Sequence, residues 1–316
     1  MLGGCGQCRF ARPWLSVGLA TALLWAGPAR SQAAAPPPAI AAPTIGVNLN
    51  LTPRRVTLDR ATRTATVFVF NQGDTATSFD IALVDRVMLP NGQIQAVDQA
   101  SATSSGKAIV DLLHSAHEMV IVTPRRITLA PGKGQTIRLR AAPPNPGATA
   151  ATEYRTHLTV TNIPPPDAGL TADQAAAVQS GQMLFRVRSA VAISIPVIVR
   201  TAPIDARARL DEPRLSDADA RLEPGGPQRK VPAVTFDIVR LGPSSLFGNV
   251  EIRAGTKGEE TLGLARGVGV YPEIERRSLQ VMLKRRPRPG EKLTITFTDD
   301  DGHPGTVLAR TSLEAP

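Results

Sequence analysis

Residues 123–140 read Thr-Pro-Arg-Arg-Ile-Thr-Leu-Ala-Pro-Gly-Lys-Gly-Gln-Thr-Ile-Arg-Leu-Arg. Ile127 to Leu129 suit a half-buried strand, and Ala130-Pro131-Gly132-Lys133-Gly134 supplies a turn. Beyond it Thr136, Arg138 and Arg140 alternate with Ile137 and Leu139. That period puts one face of a strand on a core and the other in water. The opening heptad recurs upstream: Thr52 to Leu58 is Thr-Pro-Arg-Arg-Val-Thr-Leu, differing only in Val56 for Ile127. Each copy pairs a proline, which cannot donate to a ladder, with a strand-forming run. One recurrence is too little for a solenoid or propeller, so two short basic strands are expected.

The same punctuation extends along the chain. Ala65 to Phe70 precedes Asn71-Gln72-Gly73, Phe79 to Leu89 precedes Pro90-Asn91-Gly92, and Met119 to Val122, Tyr154 to Val160 and Met183 to Val199 complete about seven strands, a count that favours an antiparallel sandwich. Gln99 to His117 is rich in serine, alanine and threonine and reads as a loop with one helical turn. Thr171 to Gly181 reads as a short capped surface helix. After Arg200 the composition shifts, and further runs follow at Val234 to Arg240, Asn249 to Arg253, Leu262 to Leu264, Leu279 to Leu283, Leu293 to Thr298 and Thr306 to Leu313. The expected organisation is all-β, with two sandwiches in series at 45–200 and 204–316 and a boundary near Thr201 to Ile204.

Met1 to Ala33 has Arg9 and Arg12, an apolar stretch from Trp14 to Ala26, and small Ser31 and Ala33, the pattern of a cleaved secretory signal. Ala34 to Pro43 is nearly all alanine and proline and reads as an extended tether over 34–44. The only cysteines, Cys5 and Cys8, fall inside the signal, so a mature chain would be held by its cores without disulfides. It would carry no integral membrane segment. The net charge of +9 falls to +6 without Arg9, Arg12 and Arg30. Export and an aromatic content of 4% argue against nucleic acid as a partner, because stacking platforms are scarce.

Catalytic chemistry finds no support. His114 and His117 stand at i, i+3 without a third ligand type, and are read as solvated loop residues; H-E-x-x-H, G-x-S-x-G and Walker patterns are absent. A secreted hydrolase would need a nucleophile and base near His157 or His303, and none clusters there. Asp299, Asp300 and Asp301 would alternate in direction on an extended chain, so a turn with one acid in a salt bridge is expected rather than a metal site. Neither metal nor cofactor is called for. Lys284, Arg285, Arg286 and Arg288 form the densest basic run, read as a solvated hairpin tip. Val191 to Val199 is uncharged, apolar except for Ser194, and interrupted by Pro196. Two readings fit equally: an edge strand left free to pair with another chain, or a buried strand with a bulge at Pro196.

Taken together, Arg55-Val56, Thr123-Pro124, Leu129-Ala130-Pro131-Gly132, Thr136-Ile137-Arg138-Leu139, Glu153-Tyr154-Arg155, Asn162-Ile163-Pro164-Pro165 and the apolar strand ending at Arg200 resemble the periplasmic chaperones of the chaperone–usher pathway, which assemble pili and fimbriae. The resemblance covers most of the first half and is weaker beyond it, chiefly at Asp299-Asp300-Asp301-Gly302. It implies two immunoglobulin-like domains set as a boomerang around a cleft, and a strand lent to a pilin-like subunit by donor-strand complementation. The donating residues would be Phe185, Val187, Ser189 and Val191, and Arg55 would hold the subunit's terminal carboxylate. The lysine that accompanies that arginine in the family is replaced by Pro196. Arg188 lies eight residues away, about 26 Å along a strand. An interdomain salt bridge would join Glu153, Arg200 and Asp300, with Asp299 the next candidate.

The function expected is a periplasmic, non-enzymatic chaperone that stabilises pilin-like subunits and passes them to an outer-membrane usher. The alternative is a non-catalytic envelope binding or structural protein with the same two sandwiches and no strand donation.

Overall fold

The computed structural model describes residues 48–142, 151–164, 179, 190–221, 223, 225–255 and 260–316. In the first half the strands are β1 (Leu49–Thr52), β2 (Val56–Leu58), β3 (Thr64–Asn71), β4 (Thr77–Val84), β5 (Arg86–Met88), β6 (Ile94–Ala96), β7 (Val120–Thr123), β8 (Arg126–Leu129), β9 (Gly134–Ala141), β10 (Glu153–Ile163) and β11 (Ala192–Arg200). Two sheets, ordered β1-β3-β9-β7 and β2-β11-β10-β4-β8, enclose a core that includes Leu51, Val67, Phe79, Leu139, Leu158 and Val197. The alternation read in residues 134–141 holds in β9, where Ile137 and Leu139 are buried and Arg138 and Arg140 are exposed.

The repeated heptad is a sheet switch used twice. The chain leaves β1 in one sheet and enters β2 in the other across Pro53, Arg54 and Arg55. It repeats the move from β7 to β8 across Pro124 and Arg125. Both Thr-Pro bonds are cis. The four strands are the edge strands of their sheets, so the two copies close opposite rims of the sandwich. A residue without an N–H is tolerated at an edge because no neighbour awaits its donor.

The second half forms β12 (Ala208–Ala220), β13 (Arg229–Arg240), β14 (Leu246–Ala254), β15 (Glu260–Val270), β16 (Arg276–Met282), β17 (Lys292–Asp299) and β18 (Val307–Glu314). Sheets β12-β13-β16 and β15-β14-β17-β18 pack on a second core with Phe236, Ile238, Leu246, Ile252 and Phe297. Each expected run coincides with one of these strands to within one residue, Leu283 and Thr306 lying just outside β16 and β18, and β12 has no counterpart among the runs. The basic run is not simply solvated: Arg285 is held by Glu260 and Glu291, and Arg286 by Asp217. Among the described residues no helix is long and apolar enough to cross a membrane. The expected helix at Thr171 to Gly181 lies outside the described residues, Gln179 apart.

One expected strand is two. Phe79 to Leu89 breaks after Val84, and β5 turns back on β6 through Asn91-Gly92, with Gly92 at φ 83°, a value a glycine adopts without penalty. The following residues are more helical than expected: α1 (Val97–Ala100) and α2 (Ser104–Val110), the latter capped by the Thr103 hydroxyl on the Gly106 N–H. This insertion joins the two halves. Met88 is buried in the second core, its N–H donates to Glu273 Oε1 at 2.8 Å, and the Ser278 N–H donates to the Pro90 carbonyl at 2.7 Å.

Met88→Ala should therefore weaken the second sandwich although Met88 precedes it by more than a hundred residues. A loss of about 2–5 kcal/mol is expected from a buried methionine truncation, read from urea unfolding monitored at both cores. No shift in midpoint would mean that the hairpin packs only superficially.

Candidate functional site: a half-open strand edge ending at buried charge

β11 decides between the two readings of its sequence. Its pairing with β10 runs from Thr161↔Ala192 to Glu153↔Arg200 without a register shift, so Pro196 makes no bulge. On its other flank β2 pairs only with Val197, Ile198 and Val199, in parallel. Among the described residues, then, 192–196 have no partner on that flank and form an edge, while 197–199 are covered. Pro196 is the last residue of the open half. Ile193, Ile195, Val197 and Val199 face the first core, while Ile198, pointing the opposite way, is fully buried in the second. Before the strand, Val191 is exposed, and its N–H donates to Asn162 Oδ1 at 2.6 Å. Phe185, Val187 and Ser189 lie outside the described residues. The Ser194 hydroxyl is engaged with Thr159 at 2.9 Å.

Continuing the β2–β11 register by one residue sets Arg55 beside Pro196, at the end of the open edge. Arg54 is exposed, as alternation requires, while the Arg55 side chain is only 12% exposed. Arg55 Nη2 donates to Asp301 Oδ2 at 2.9 Å and to Ser245 Oγ at 3.3 Å. Its guanidinium carbon lies 4.6 Å from the Phe247 ring centroid, within cation–π range. Arg55 Nε and Nη1 are buried and have no hydrogen-bond partner. Arg125 and Arg126 of the second heptad are exposed, with Arg126 paired to Asp80 at the surface.

Arg200 closes the strand on a charge cluster. Its Nε donates to Glu153 Oε2 at 3.2 Å, Nη1 donates to Asp301 Oδ1 at 3.3 Å, and Nη2 donates to Asp301 Oδ2. The acid from the second half is thus Asp301, which corrects the expectation of Asp300. Strand β17 ends at Asp299, whose buried carboxylate accepts the Asp301 and His303 N–H groups. The resulting turn leaves the Asp300 side chain exposed, with its N–H on the Phe247 carbonyl, and swings Asp301 onto the arginines. Burial alone would raise the Asp301 carboxyl, but Arg200 and Arg55 outweigh it and hold the group below its ordinary value. Burial likewise works against the charge on Arg200, yet Asp301 and Glu153 prevail and raise its pKa.

A second cluster was not foreseen. Arg155, fully buried, pairs with Glu273, stacks at 4.1 Å on Tyr271 and donates from Nη1 toward the His157 ring at 3.3 Å. Glu153 Oε1 and Arg155 Nε have no partner. Both residues line a cavity of about 10 Å³, shared with Leu112, His114 and Pro272, the size of about one water. Glu153, Arg155 and His157 alternate along β10 and so share a face. Three ionisable residues at alternate positions of one strand were the available signal. His157 is buried, and desolvation, then the charges of Arg155 and Arg86, push its pKa well below the ordinary value.

No protein-family model and no curated protein matches the chain. Among solved structures it is similar to the E. coli chaperone DraB, at 14% identity and a TM-score of 0.41, over 85% of this chain and 97% of that one. A Salmonella enterica SafA pilin in complex with the SafB chaperone is matched at 11% identity and 0.41, over 85% and 97%. The chaperone–tip adhesion subunit complex CsuC–CsuE from the archaic chaperone–usher Csu pili of Acinetobacter baumannii is matched at 11% identity and 0.40, over 85% and 98%.

Two outcomes follow for stability. Arg155→Met should cost about 3–5 kcal/mol in chemical denaturation, because it leaves Glu273 charged and buried. Adding Glu273→Leu should recover at least half of that loss, and no recovery would show that the two act separately. His157 stays neutral in the fold while the unfolded chain protonates near pH 6.5, so the folded state loses stability as pH falls below that value. The slope from this residue approaches 1.4 kcal/mol per pH unit. A His157→Gln variant should show a flatter stability profile between pH 5 and 6.5 than the parent, and an unchanged profile would refute the assignment.

Proposed function

We propose that this chain is a periplasmic chaperone that captures pilin-like subunits by donor-strand complementation and delivers them to an outer-membrane usher. The reading has no catalytic step. One observation carries it: the open half of β11 runs into Arg55, a largely buried arginine with two unpartnered N–H-bearing nitrogens, at the place where the edge ends. An unpaired ladder edge binds extended chain through main-chain groups, whatever that chain's side chains are. A cation at the end of such an edge selects a strand that terminates there in a carboxylate. Such a strand would run parallel to β11, in the sense β2 already takes beside Val197 to Val199.

The division of labour follows the two sandwiches, taken as domains over 45–200 and 204–316. The first supplies the edge with Ile193 and Ile195 beneath it; the second supplies Ser245, Phe247 and Asp301 around Arg55. The donor residues Phe185, Val187, Ser189 and Val191 would extend the edge upstream, with Val191 exposed at its start.

Co-expression with a small exported β-sandwich subunit lacking its last strand tests the reading. Subunit should accumulate with the parent chain and fall at least tenfold with Arg55→Ala or Val191→Glu, while each variant itself folds to parental yield. In the purified complex, amides of 192–195 should gain exchange protection. Equal subunit survival with both variants, and unchanged exchange, would leave the non-catalytic envelope protein without strand donation as the reading.

A further inference from the structure

We infer that Asp301 is a built-in competitor for the carboxylate that Arg55 binds, so that ligand capture hands Asp301 over to Arg200. The inference rests on Arg55 being a carboxylate site, and it adds how that site is closed in the free protein. A guanidinium has two forks for a bidentate carboxylate, Nη1 with Nη2 and Nε with Nη2, and both use Nη2. Arg55 Nη2 is already committed to Asp301 Oδ2 and Ser245 Oγ, whereas Nε and Nη1 are unpartnered. An incoming carboxylate can find one free donor, but it gains a fork only when an occupant of Nη2 leaves.

Charge decides which occupant that is. Arg55, Arg200, Glu153 and Asp301 sum to zero, and a further carboxylate makes the cluster anionic in a poorly solvated setting. Retaining Asp301 on Arg55 would place two anions on one cation. Asp301 has somewhere to go: Arg200 already takes both its oxygens, through Nη1 and Nη2. Arg55 is the extra bond on an oxygen that Arg200 holds anyway. The strand neighbour of Arg55 is Pro196, which supplies no charge to offset the added anion. The ligand is therefore drawn by Arg55 against the net negative charge that Glu153, Asp301 and Arg200 leave beside it.

Acetate, with acetamide as the neutral control, serves as the probe, titrated into the ¹⁵N-labelled full chain while the arginine side-chain Nε–H resonances are followed. With the parent, acetate should shift Arg55 and also Arg200, whose partner moves wholly onto it; acetamide should shift neither. Asp301→Asn should bind acetate at least tenfold more tightly, and Arg55→Gln in that background should abolish binding. Equal acetate affinity in the parent and Asp301→Asn, both through Arg55, would overturn the competitor role while leaving the carboxylate site standing. No acetate shift at Arg55 in either folded protein would overturn both. Should Asp301→Asn fail to fold, the Arg200 response in the parent decides alone: a shift at Arg55 with none at Arg200 overturns the handover.

Discussion

The structure turns on Arg200. The β10–β11 register places it directly opposite Glu153 on the neighbouring strand, and the turn after β17 brings Asp301 to it from the second sandwich. Its guanidinium therefore belongs to a strand of one core and to the boundary of the other. Removing such charges from water is expensive, and a buried cluster repays that cost only when every member is present. Arg155 and Glu273 repeat the arrangement one pleat along β10, with the Met88 N–H from the inserted hairpin completing the carboxylate's shell.

The same strand explains why an open edge is tolerable. Odd-numbered side chains of β11 fill the first core and Ile198 enters the second, so the strand is fixed by two packed faces and does not need a partner on both flanks. β2, only three residues long, covers the end nearest Arg200 and stops. Pro196 falls at this transition, where its missing donor deprives no neighbour. A longer β2 would seal the edge; a strand without its second-core residue would lose the anchor that keeps the edge straight.

Periodicity made the β-fold legible because it is a local property: Ile137 and Leu139 needed no distant information. The role of the heptad did not lie in its own residues, since a sheet switch is visible only when the partners of both halves are known. Strand β12 escaped because its stabilising pairs are charged and exposed, as in Arg209 with Asp211, and only Leu210 and Ala218 are buried within it. Arg55, Glu153 and Arg200 could be placed by resemblance because strand spacing is rigid. Asp301 could not, because the acids lie in a turn where counting by twos fails. Arg155 and Glu273 are separated by 118 positions, and nothing local links them.

Two of the arginines that reach the second sandwich lie on aromatic rings, Arg55 on Phe247 and Arg155 on Tyr271. In a chain with two tyrosines and eight phenylalanines, that placement has a physical basis. A planar guanidinium can stack on a ring and still direct its N–H groups sideways to acids, which an ammonium cannot do. The ring shields one face from water and strengthens every in-plane interaction that remains. At Arg55 this leaves Nε and Nη1 desolvated and unspent, while Asp301 supplies only one of the contacts that a free carboxylate could make. Arg55 is thus oriented, and only partly satisfied, by an acid that Arg200 grips through both oxygens.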